Sequence, residues 1–90
     1  MVNYYCIYDN SLELANPMFS ASDDQSAVRL CRNMLLSSTD DVFSRIIPSC
    51  DLRFVGSFDE TTCDFVPSNP ARFVCHLSSI PIPHISGGDD

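Results

Sequence analysis

The chain has no lysine and no tryptophan. Its only basic side chains are five arginines against twelve acids, for a formal charge of −7. Phosphate backbones are held by basic side chains that displace counterions. A field of this sign therefore opposes nucleic-acid binding by the whole molecule and favours a partner that is itself basic. Glycine is scarce: Gly56 stands alone in the body of the chain, with Gly87 and Gly88 near its end. No glycine-rich loop is present to cradle a phosphate. The five cysteines (Cys6, Cys31, Cys50, Cys63, Cys75) are odd in number, include no CxxC pair and follow no signal-peptide pattern. We read them as reduced, mostly buried small hydrophobes of an intracellular protein. The two histidines, His76 and His84, are too few for a recognisable metal site, and neighbouring Cys75 and His76 on a strand would face opposite ways. We expect no metal and no cofactor. No apolar run approaches the ~20 residues of a membrane span, so no membrane association is expected.

What is present suits one small domain. Ninety residues with 44% hydrophobic side chains allow a single modest core. The stretch from Leu52 to Val66 carries the strongest pattern. Leu52, Phe54 and Phe58 recur at period two, with Arg53 and Ser57 on the other side, and the polar run Asp59–Thr62 separates them from Cys63, Phe65 and Val66. This predicts a β-hairpin. Gly56 weakens the first of its strands unless a bulge or a close backbone approach requires it. Upstream, Tyr4–Tyr8 predicts a central strand, and Ser11–Ala15 a short return strand with Leu12 and Leu14 on one side. Asn16-Pro17 is a turn signal.

A helix comes next. Ser22 and Gln25 fit a capping box, Asp23 and Asp24 suit the first turn, and Ala27, Leu30, Cys31, Met34 and Leu35 form one apolar stripe. Arg29, Arg32 and Asn33 fall on another face, a solvated surface or a small basic handle. Thr39-Asp40-Asp41 opens a short second helix with Val42, Phe43, Ile46 and Ile47 on its apolar side, closed by Pro48. Pro67-Ser68-Asn69-Pro70 predicts a loop. A last strand over residues 71–77 places Phe73, Cys75 and Leu77 on one face. Residues 81–90 hold two prolines, two glycines and a terminal acid pair, and predict a loose acidic tail after a domain of residues 1–80.

The predicted fold is α+β: a small antiparallel sheet of three to four strands, one main helix packed on one face, and the short second helix. The helix stripe is expected against Leu52, Phe54 and Phe73. The opposite face would carry Tyr5, Ile7, Val55 and Val74 beside Arg53, Arg72 and His76, and a homodimer is one way to cover it.

No constellation points to catalysis. The acid pairs are explained by helix N-termini and a turn, and no Cys–His nucleophile signature is present, so we expect no enzyme. Aromatics interleaved with arginine admit another use. Tyr4, Tyr8, Phe54, Phe58 and Phe73 with Arg53 and Arg72 could stack single-stranded nucleic acid. Aromatics at period two on a small sheet are more simply its core.

The string Leu52-x-x-Val55-Gly56-x-Phe58-Asp59-x-x-Thr62 resembles a segment of a small nonstructural protein of gokushoviruses, single-stranded DNA phages of the microvirus group. Tyr5-x-Ile7-Tyr8-Asp9, Pro17-Met18-Phe19, and Asp24, Ala27 and Arg29 on the helix agree in order. Cys63 stands where that family's turn usually has glycine, and Cys31 where an aromatic is common. The resemblance implies a non-catalytic role in viral DNA replication, in the switch to single-stranded genome synthesis and packaging, in the cytoplasm of the bacterial host and outside the virion. The partner would be the viral replication-initiation protein or host replication proteins. Alternatives are direct binding of single-stranded DNA and a scaffold role in assembly. Contact residues for a partner or a strand would be Arg29, Arg32, Arg53 and Arg72.

Overall fold

A computed structural model describes residues 1–37 and 47–80. Strand β1 (Val2–Asp9) lies inside an antiparallel sheet, as its uninterrupted apolar sequence predicts. One edge of β1 pairs with two short pieces, β2 (Leu14–Ala15) and β3 (Phe19–Ala21), and the other with β4 (Cys50–Asp59). Strand β4 pairs in turn with β5 (Asp64–His76), giving five strands rather than three or four. The extra strand arises because the return chain resumes pairing after Pro17, with its register shifted by one residue between β2 and β3. Proline has no N–H to give a ladder, and the chain must step around it.

The single helix among the described residues, α1 (Asp24–Ser37), crosses one face of the sheet. Ala27, Cys31 and Leu35 bury one helical stripe against Tyr5, Ile7, Cys50 and Leu52, and Leu77 and Ile80 close the core from the segment after β5. The stripe is narrower than predicted, since Leu30 stays 46% exposed. The cap also differs by one residue. Asp23, not Ser22, is the N-cap: its carboxylate accepts from the Ser26 backbone N–H at 2.8 Å, and its carbonyl accepts the first helical bond from Ala27 at 3.0 Å. Ser22 Oγ lies 2.9 Å from Ser26 Oγ and supports the same turn.

Of the predicted second helix, residues 39–46 lie outside the described residues, as does the predicted tail. Ile47–Ser49 form a 3-10 turn that leads directly into β4, and a second such turn, Leu77–Ser79, comes after β5. Residues 67–70 are not a separate loop, for β5 runs through them. The ladder is broken there all the same: Gly56 pairs with Pro67 and Phe54 with Arg72, so residues 68–71 bulge away from β4. The strand tolerates this because β5 is an edge, where a proline costs no partner a hydrogen bond.

The two faces of the sheet also differ from the predicted division, through the β1–β4 register for Tyr5 and Ile7 and through bulges for the rest. Successive residues of a strand face opposite ways, so one inserted residue reverses everything beyond it. Tyr5 stands opposite Phe54 and Ile7 opposite Leu52, so all four share the helix side. Beyond the irregularity between Phe54 and Gly56 the parity reverses, and Phe58 faces away from the helix while Ser57 faces towards it. A second irregularity at Val74 sets Phe73 opposite Arg53 and Arg72 opposite Phe54. Phe73 is therefore 51% exposed on the face without the helix, and Arg72 joins the helix side.

Candidate functional site

Strand alternation gathers Tyr4, Tyr8, Arg53, Phe58, Phe65, Phe73 and His76 on the face away from α1. No described element lies across it, since the helix and both 3-10 turns belong to the opposite, core side. This face has two ends of different character.

The end near the 3-10 turn is polar and tightly bonded. Asp51 is buried, and its carboxylate accepts from Asn10 Nδ2 at 2.9 Å and Arg53 Nη2 at 3.4 Å, with His76 Nδ1 at 2.7 Å. Burial pushes the Asp51 carboxyl up, but the hydrogen bonds from Asn10, His76 and Arg53 outweigh it and hold it below the usual carboxylate range. The Arg53 guanidinium lies 4.3 Å from the centre of the Tyr8 ring and also donates to Asn10 Oδ1 at 3.2 Å. Phe73 meets the His76 ring edge-on at 4.9 Å. Beside this cluster Asp9 is buried, its Oδ1 accepting from the Ser11 N–H and from the hydroxyls of Ser11 and Ser49. Those bonds hold its carboxyl low. Asp9 Oδ2 and Arg53 Nε are buried without hydrogen-bond partners among the described residues.

A carboxylate that orients a histidine through Nδ1 is half of a proton-transfer relay. Among the described residues no hydroxyl or thiol hydrogen-bonds the His76 ring, and Phe73 occupies its flank. The arrangement organises a surface.

The other end is apolar and open. Phe65 stands opposite Phe58 across the β4–β5 hairpin, and its ring lies 6.2 Å from that of Tyr4. Gly56 lies beneath: a Cβ there would sit 2.5 Å from the Val66 carbonyl oxygen and 2.8 Å from Phe65 Cζ. The close approach that Gly56 suggests in the sequence is thus present, together with the bulge.

The four arginines do not converge. Arg53 is on the open face and is tied to Asp51. Arg72, on the helix side, forks onto Asp24 at 2.9 and 3.0 Å and covers the Phe54 ring at 5.0 Å. Tyr5 adds its hydroxyl to Asp24 at 2.7 Å, so the first helical residue is clamped to β1 and β5 together. Arg72 and Tyr5 hold the Asp24 carboxyl low, while burial and the Asp24 bond push the Tyr5 hydroxyl up to about 12. Arg29 and Arg32 lie on α1, exposed and half-buried respectively, and the charge of Arg29 helps the Ser26 bonds to hold the Asp23 carboxyl low.

An antiparallel hairpin, a central aromatic strand and one main helix are the parts of this frame that the sequence pattern anticipated. The family model described as Phage ORF5 protein matches residues 2–80. The chain belongs to that phage protein family. The match spans every described element. No curated protein and no solved structure matches the chain.

Sequence reasoning missed Asp51, Asn10 and Phe65 as parts of the site. Asp51 sits between apolar Cys50 and Leu52, and an acid flanked in this way inside a strand was the available signal.

Proposed function

We propose that this phage ORF5 protein is a non-catalytic factor of viral DNA replication that acts in the host cytoplasm, in the turn towards single-stranded genome synthesis and packaging, by docking on a basic replication protein. The viral replication-initiation protein or a component of the host replication machinery fits that description. The observation that carries the reading is the state of the arginines: Arg53 and Arg72 are each spent on a carboxylate of the same chain, in a molecule of charge −7. The net field opposes phosphates, whereas an acidic surface steers a basic partner.

A second reading has one specific observation in its favour. Tyr4, Tyr8, Phe58, Phe65 and Phe73 lie outside the helix-packed core, on the face that carries Arg53. Aromatic faces of this kind stack unpaired bases. In that case Arg53 is the contact, and Arg29, Arg32 and Arg72 lie elsewhere.

Anisotropy of a labelled single-stranded oligonucleotide at about 50 and about 200 mM salt separates the two. The partner reading expects no micromolar binding at the lower salt, with tagged protein from infected cells recovering a replication protein. Binding that falls steeply with salt and is lost in Arg53→Ala would overturn it. Recovery of capsid proteins alone would instead support an assembly role.

A further inference from the structure

In a chain of charge −7, the face away from α1 is close to neutral. Asp9 stands opposite Cys50 and so belongs to the core side, and Asp23 and Asp24 open the helix. Phe58 pairs with Phe65, and Asp59 with Asp64 at the next step of the ladder, which turns both aspartates away from the rings. Glu13 and Glu60 lie in the turns beyond the two ends of the sheet. Asp51 is thus the one acid of the described residues on this face, and Arg53 offsets its charge. Phe65 and Phe73 are nevertheless 41% and 51% exposed there, beside half-buried Tyr4, Tyr8 and Phe58. A soluble chain seldom leaves an aromatic surface of this extent uncovered.

We propose that two copies of this protein pack these faces together, sheet on sheet about a two-fold axis, with Tyr4, Tyr8, Phe58, Phe65 and Phe73 at the contact. The distribution of charge selects a second copy as the occupant. A basic partner gains by meeting the acids, which this face turns away, whereas another molecule of charge −7 gains by avoiding them. Stacked sheets stand about 10 Å apart, and acids behind each sheet then lie beyond the Debye length of about 8 Å at physiological salt. The size is also adequate. Four strand positions and the ten residues of β4 span on the order of 600 Å² per copy in projection, the lower bound of a specific interface. The inference does not rest on the basic-partner reading, since the dimer keeps its acids outward for such a partner. It does occupy the rings that a stacked strand would need.

Sedimentation equilibrium of the full chain, from about 2 to about 200 µM at about 150 mM salt, tests this. The mass should rise from 10.0 kDa towards twice that value, with the micromolar Kd of a small interface. Phe65→Asp places a charge on the face of both copies and should weaken the dimer about 10-fold or more. Val66→Asp is the matched control: the next residue of the same strand, 55% exposed and on the opposite face. It should leave the Kd unaltered. Phe73→Ser removes the other exposed ring without adding charge and should also weaken the dimer, with circular dichroism confirming that each variant is folded. Raising the salt to about 500 mM should tighten the dimer, because only like charges are screened. A mass of 10.0 kDa throughout overturns the proposal. So does a dimer that ignores both Phe65→Asp and Phe73→Ser, one that Val66→Asp weakens equally, or one that high salt dissociates. A monomer that binds labelled oligothymidine through Phe65 overturns it too, and assigns the face to a strand.

Discussion

Gly56 lies at the crossing of two irregularities, opposite Tyr4 of β1 on one side and Pro67 of β5 on the other. Any side chain there meets the Val66 carbonyl, which is backbone and cannot step aside. Gly56→Ala should destabilise the fold by about 2–3 kcal/mol, the usual cost of overpacking at a rigid contact, measurable by urea denaturation. Tyr5 supplies a second test at this scale. Its folded-state hydroxyl is raised to about 12, above the ordinary tyrosine value of about 10. A group raised on folding contributes stability that is complete below the unfolded pKa and is lost as pH rises through the folded one. Stability should therefore decline between about pH 10 and 12. Absorbance titration should resolve a tyrosinate with a midpoint near 12, and Asp24→Asn should lower that midpoint. An unchanged midpoint in the variant would show that the Asp24 bond does not set it.

Among the elements, the helix and the hairpin were legible because their periodicity is long and uninterrupted. The cap was misplaced by one residue because Ser22, Asp23 and Asp24 are all competent N-caps. The choice between them is tertiary: with Asp23 as cap, Asp24 comes round to meet Tyr5 and Arg72. The faces of β4 and β5 were not legible. A bulge adds one residue without any composition of its own, and Val55 and Val74 look like any other strand valine. Each reverses the parity of the strand residues beyond it, which moved Phe58 and Phe73 from expected core to open face and brought Arg72 to the helix. The site was legible only in part for the same reason. The turn of the hairpin carries a further prediction. Cys63 holds the left-handed backbone, at φ 64°, that glycine adopts freely, and its N–H closes the turn on the Asp59 carbonyl at 2.8 Å. Cys63→Gly should stabilise the protein by roughly 0.5–1 kcal/mol, the relief of left-handed strain less the entropy glycine gains when unfolded. A midpoint of denaturation below that of the parent would contradict this account of the turn.

For the molecule as a whole, folding lowers the carboxyls of Asp9, Asp23, Asp24, Asp51 and Asp59. Groups depressed on folding contribute stability that is present above their unfolded pKa, about 3.9, and is lost as pH falls through the lower folded values. Thermal melts should accordingly weaken below about pH 4, even though net negative charge and its self-repulsion are by then diminishing. A melting temperature that keeps rising down to pH 3 would show that repulsion, not these bonds, governs acid behaviour. The outer strands have a separate consequence. Proline interrupts both rims of the sheet, Pro17 between β2 and β3 and Pro67 and Pro70 within β5. A growing fibril needs an unbroken rim of backbone donors and acceptors on which the next chain can template. Among the described residues neither rim is unbroken, so edge-to-edge growth finds no continuous template on either side of the sheet.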